Sequence, residues 1–243
     1  MAPFTDGGRT IDRTNWPDSY ISYYPYGGAM ALALDLSLRQ RTEGKTTLDD
    51  FMRAMWRVHG KPAAPRPGYV ANPYSIDDVE RRLGEVSGDP AFARSFFTRF
   101  IHGREAPDFG ALLEPAGFVL QKQNPGRAWW GSVRLETRDG VIVADAPRAN
   151  TPAYKAGLDL GDELRMLDGV RIASATDVDG ILRRHKPGDA VSVEFVDRSG
   201  RSRTSTVTLQ DDPDFRIVPI EETGRNLTSA QASFRTAWLG RKD

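Results

Sequence analysis

Cysteine is absent from the 243 residues, which excludes disulfides, thiolate nucleophiles and Cys-ligated zinc. An empty cysteine count fits cytosol and periplasm equally, so the compartment stays open. Histidine is scarce: His59, His102 and His185 are the three present. None has an i,i+4 histidine partner and no His-Glu-x-x-His occurs, so no metal-ligating residue is assigned to this chain. No Gly-x-Ser-x-Gly elbow is found, which leaves a serine hydrolase unsupported. Long apolar runs are also missing. The longest, Ala29 to Leu34, ends at Asp35, far short of the roughly 20 residues that cross a bilayer. A transmembrane span and a membrane partner are not expected.

Net charge is lacking as well. Lys plus Arg and Asp plus Glu are 33 each, so no overall field draws the chain to phosphate backbones, and nucleic acid is not an expected partner. The start, Met1 to Asp6, has neither the basic nor the apolar region of a secretory signal, and Met1 is expected to be an artificial start within a longer protein.

What is present is the composition of packed domains: 39% hydrophobic and 27% charged residues, over a length that suits two cores. Residues 24–42 carry Met30, Leu32, Leu34, Leu36 and Leu38 among alanines. A period of two is visible there, but the run is long and rich in helix formers, so a buried helix is predicted, with Asp35 and Arg39 as an i,i+4 pair. A second helix is expected from Thr47, capped with Asp50 and stopped by Gly60 and Pro62. A third begins at Ser75 and a fourth at Asp89-Pro90. Residues 20–115 therefore read as an all-helical unit.

After Gly117 the pattern changes to turn dipeptides and short β-branched runs. Asp139-Gly140 precedes Val141 to Val143, Asp168-Gly169 precedes Val170 to Ile172, and Val191 to Val196 alternates with Thr204 to Leu209 as a closing strand pair. Two short helices interrupt these strands, one at Pro152 to Ala156 and one from about Asp177 to His185.

The most specific motif is Asn150-Thr151-Pro152-Ala153-Tyr154-Lys155-Ala156-Gly157-Leu158-Asp159-Leu160-Gly161-Asp162-Glu163-Leu164, followed by Leu167-Asp168-Gly169-Val170. Over about residues 127–210 the chain resembles a bacterial PDZ domain. The resemblance implies a groove that takes the C-terminus of a peptide or protein as an added strand. The carboxylate loop is then placed at Trp129, Trp130, Gly131 and Ser132, the pairing strand continues through Val133 to Glu136, and the opposite wall carries Val178, Ile181 and Leu182. Trp129 and Trp130 are equally readable as cover for a core.

The helical half, on Ser22-Tyr23-Tyr24-Pro25-Tyr26-Gly27-Gly28, Ala31 to Arg39 and Thr47 to Trp56, is similar to the glycyl aminopeptidase family of zinc metallopeptidases. In that family such a stretch follows a gluzincin zinc domain and leads into a PDZ domain. The resemblance implies that Tyr24 is catalytic, steadying the oxyanion of the tetrahedral intermediate; the alternative is an aromatic entry to a buried helix.

The expectation is an α+β chain: a helical region over 1–118, a partly open PDZ-type β-barrel with two short helices over 119–212, and an extension over 213–243. Its function is expected to be that of the C-terminal part of an aminopeptidase releasing Gly or Ala. Zinc and an upstream catalytic domain are supplied by the parent protein, and no cofactor is held in this chain. The alternative is a stand-alone PDZ adaptor without enzymatic activity.

Overall fold

The computed structural model describes residues 23–61 and 72–240, except the side chain of Tyr23. Pro62, Ser22 and the start at Met1 lie outside the described residues. The fold is α+β with open sheets, and its described residues form two compact units: 23–61, 72–120 and 217–240 in one, 121–216 in the other.

In the helical unit, α1 spans Tyr23–Arg41 and buries Met30, Ala33, Leu34, Leu36 and Leu38. Leucines at this spacing leave few polar positions, which suits a helix surrounded by others. Asp35 accepts from Arg39 Nε at 2.9 Å and from the Leu48 backbone N–H at 2.9 Å. One carboxylate thus braces α1 and fixes the start of α2, Leu48–Met55.

The helix α2 opens with a capping box of Thr47 and Asp50, and α3, Ile76–Ser87, with one of Ser75 and Asp78. Each box satisfies two backbone donors that a helix N-terminus leaves orphaned. Pro90 opens α4, Pro90–Phe96, with Asp89 accepting from Phe92 N–H, and α5 is Phe109–Leu113. Phe51, Leu83, Ala93, Phe96 and Phe97 close the core on Ala33, Leu34 and Leu38. The last helix, α8, Ser229–Leu239, is tied in by Arg235, whose guanidinium donates to the Ala116 carbonyl at 2.8 Å and the Gly117 carbonyl at 2.5 Å.

The boundary between the units falls within two paired strands, β1 at Phe118–Lys122 and β10 at Phe215–Pro219. The second unit is mostly β: β2 Ala128–Trp129, β3 Leu135–Thr137, β4 Val141–Val143, β5 Glu163–Leu167, β6 Val170–Arg171, β7 Ala190–Val196, β8 Ser202–Thr208 and β9 Gln210–Asp211. Its main sheet runs β3-β4-β5-β7-β8, with β6 paired to β5, and β2 pairs separately with β9. Two short helices complete it, α6 at Pro152–Lys155 and α7 at Ala175–Leu182. Val141, Val143, Leu164, Leu167, Val191, Val193 and Val207 form the floor of its core.

Candidate functional site

The site begins at the edge of the main sheet. Strand β3 pairs inward with β4, in the register Leu135 with Val143 and Thr137 with Val141, and the Ala144 N–H extends this by donating to the Arg134 carbonyl at 2.8 Å. Its other edge has no strand beside it among the described residues.

Alternation fixes what the two faces of this edge carry. Val133 and Leu135 pack on the core. Arg134, Glu136 and Arg138 line up on the opposite face, Arg134 Nη1 to Glu136 Oε1 at 2.5 Å and Arg138 Nη2 to Glu136 Oε2 at 2.6 Å. Arg134 also donates to Asp145 at 2.6 Å. The Asp145 and Glu136 carboxylates hold the Arg134 guanidinium above its ordinary pKa, and Arg138, then Arg134, holds Glu136 below its own. Charges on an edge strand discourage indiscriminate pairing while leaving its in-plane N–H and C=O groups available.

Ahead of β3 the chain turns at Gly131, whose φ is +133°. The turn is held from the far side: the Ala153 N–H donates to the Trp130 carbonyl at 2.7 Å. Among the described residues no group accepts from the N–H of Gly131, Ser132 or Val133. Free N–H groups at the head of an unpaired edge suit a carboxylate followed by a strand.

A cavity of about 410 Å³ opens here, lined by Trp129, Trp130, Gly131, Ser132, Val133 and Leu182, with Arg127, Arg134, Asp179, Asp212 and Asp214 as its charged members. The structure therefore brings together six of the eight residues that the sequence assigns to peptide binding. Val178 and Ile181 are 2% and 3% exposed and belong to the core under α7 rather than to the cavity wall. Trp130 is in that core as well, 4% exposed, while Trp129 is half-buried.

Arg127 is the basic residue that sequence reasoning missed. Its guanidinium is half exposed and stands 3.9 Å from Asp212 Oδ2, a loose pairing. Asp212 is more firmly engaged by Asn124 Nδ2 at 3.0 Å and the Asp214 N–H at 2.9 Å. The only available signal was an arginine four residues before Gly131, and its relevance depends on the pairing of β2 with β9.

The other singled-out residues have separate surroundings. Tyr24 lies in the first turn of α1 and is 91% exposed. The described residues thus do not give its phenol the water-poor setting that strengthens a hydrogen bond to an oxyanion. His59 Nδ1 lies 3.0 Å from the Asn72 carbonyl and its ring meets Tyr74 edge-on. His102 packs near Phe97, and His185 bridges Asp168 at 3.0 Å and Asp189 at 3.4 Å. Among the described residues no three His, Asp or Glu side chains converge as a metal site, so they do not fit a catalytic zinc.

Residues 117–209 match the PDZ domain family, so a PDZ domain is present in this chain. The chain is similar to Protease Do-like 1, chloroplastic, of Arabidopsis thaliana, 36% identical over 86 residues, covering 31% of this chain and 19% of the relative. It is also similar to a probable periplasmic serine endoprotease DegP-like of Halomonas elongata, 29% identical over 175 residues, covering 62% of this chain and 36% of that protein. The chain thus spans only 19% and 36% of these relatives' lengths. Among solved structures, an aminopeptidase N family protein from Idiomarina loihiensis shares the fold over 94% of this chain and 38% of its own, with a TM-score of 0.71 at 24% identity.

Proposed function

We propose that residues 121–216 receive the free C-terminus of a peptide or protein. The peptide adds as a strand along Ser132 to Glu136, its carboxylate meets the N–H groups of Gly131, Ser132 and Val133, and its last side chain enters beside Leu182. The observation that carries this reading is the unpaired edge of β3 beginning at a positive-φ glycine, at the mouth of the cavity. Arg127 adds positive charge near the entering carboxylate. Main-chain pairing supplies most of the affinity and the carboxylate sets the register. Affinity is expected in the micromolar range, about −8 kcal/mol, because a short peptide is ordered on binding. Calorimetry on matched peptides tests it: a free-acid peptide ending in an apolar residue binds, and its C-terminal amide binds at least about tenfold more weakly, a difference of about 1.4 kcal/mol. Equal binding of acid and amide would sink the proposal.

The fold shared with an aminopeptidase N family protein favours a wider reading. In it this chain forms the C-terminal part of a zinc aminopeptidase acting on small N-terminal residues such as Gly or Ala, with zinc and its ligands contributed by an upstream catalytic domain. Because the described residues do not fit zinc, no catalytic step is assigned to them through the metal. The competing reading is a stand-alone peptide-binding adaptor, which lacks this support from the helical unit.

A further inference from the structure

The cavity beside Gly131 has an uneven supply of free charge. Of its two bases, Arg134 is engaged by Glu136 and Asp145, and Arg127 faces Asp212. Of its three acids, Asp212 is held by Asn124 and the Asp214 N–H. The carboxylates of Asp179 and Asp214 form no ion pair and accept no hydrogen bond among the described residues. Both are exposed, so a ligand meets them without first breaking a contact.

Helix geometry fixes the spacing of Asp179 from Leu182 along the groove wall. It lies on α7 three residues before Leu182, a rise of about 4.5 Å. An added strand advances about 6.6 Å over two residues, and side chains two apart share a face. With the peptide's last side chain beside Leu182, the side chain two residues upstream points to the same wall and comes opposite Asp179.

We propose that this groove selects peptides carrying Lys or Arg at the third position from the C-terminus, through the carboxylate of Asp179. This inference rests on the peptide-receptor reading above and adds the ligand's chemical class. Arg134 does not compete for the incoming cation's partner, because its own charge is already matched on the outer face of β3. The pair formed is solvent-facing, so the selectivity is modest and salt-sensitive.

The test uses the whole 243-residue chain and three free-acid peptides with the same apolar last residue and Lys, Gln or Glu at the third position from the end. Affinity is expected to fall in that order, with Lys favoured over Gln by about two- to five-fold. The Lys advantage is expected to vanish in Asp179→Asn, survive in Asp179→Glu and in Asp214→Asn, and shrink as salt rises from about 0.05 M to about 0.5 M. Binding indifferent to the third position, or a Lys preference that persists in Asp179→Asn or disappears instead in Asp214→Asn, overturns the selectivity while leaving the receptor reading intact. If no peptide binds better as acid than as amide, the receptor reading fails and this inference with it.

Discussion

Gly131 is the residue on which the groove turns. Its φ of +133° is disfavoured for any side chain, and an added Cβ would lie 3.2 Å from Thr151 Cβ and Oγ1. Thr151 is itself buried and donates to the Arg148 carbonyl at 2.7 Å, so it has little room to retreat. Gly131→Val is therefore expected to cost about 1–3 kcal/mol of stability and to weaken peptide binding at least about tenfold, by urea denaturation and calorimetry respectively. A valine variant with unchanged affinity would remove this turn from the binding site. Asp162 shows the other kind of constrained residue. It is 2% exposed, accepts the Asp159 N–H at 2.8 Å, and burial pushes its carboxyl above the ordinary range. Its folded state holds a proton more tightly than the unfolded one, so this residue's contribution to stability falls as pH rises through that raised value. The sequence marked both positions because Gly131 and the Gly161-Asp162 pair each answer to local backbone geometry. Arg127 and Asp179 were not legible in the same way, since their relevance comes from strands and a helix brought to one cavity from distant parts of the chain.

The helices were the most legible elements because their signals are local. Thr47 with Asp50, Ser75 with Asp78, and Asp89 before Pro90 each start a helix where the side-chain chemistry says one should start. Thr47→Ala is expected to cost about 1 kcal/mol in thermal or urea unfolding. Asp78 gives a pH signature. The Ser75 backbone N–H and hydroxyl, with Arg81 alongside, lower its pKa from 3.8 to about 2. A depressed folded pKa contributes stability that is present above the ordinary value and lost as pH falls from about 3.8 towards about 2. Helicity followed by circular dichroism through that window is expected to decline, and less steeply in Asp78→Asn, which has no carboxyl to titrate there. Identical acid profiles for the two proteins would show that the box does not contribute. Elements that depend on partners were harder to read. Helix α2 continues as a π turn over Trp56–Gly60 and α4 as another over Phe97–Ile101, where packing rather than propensity sets the winding. Helix α7 begins at Ala175, with the Ala173 and Ser174 N–H groups on Asp177 at 2.8 Å, slightly earlier than its hydrophobic spacing implied. The pairing of β2 with β9 joins segments more than 80 residues apart, and no local pattern encodes it.

At the scale of the whole molecule the chain leaves the helical unit within β1 and returns to it within β10, so residues 121–216 are an insertion in the sequence of that unit rather than an appendage. Residues 213–243, expected as an extension, supply β10 and α8, and Arg235 ties α8 to the backbone at Ala116 and Gly117. A reading in chain order does not reveal such a return, because the contacts that define it span about 120 positions. Catalysis belongs to this scale too. The described residues hold no metal-site cluster, and Tyr24, the one residue given a catalytic role by resemblance, is 91% exposed. The chain matches only 38% of the aminopeptidase N family structure whose fold it shares. If the chain works as part of a longer zinc aminopeptidase, purified alone it is expected to take up no stoichiometric zinc and to leave Gly- and Ala-p-nitroanilide intact. Joined to an upstream domain carrying His-Glu-x-x-His, it is expected to be active. In that longer protein Tyr24→Phe is expected to lower kcat by roughly 10²- to 10³-fold, about 2.7–4 kcal/mol, because an oxyanion donor acts in the transition state. KM should change little, since the phenol contributes no comparable ground-state binding. Full activity of that variant would remove Tyr24 from the catalytic machinery, and chelator-sensitive turnover by the 243-residue chain alone would place a metal site within it and overturn the division of labour proposed here.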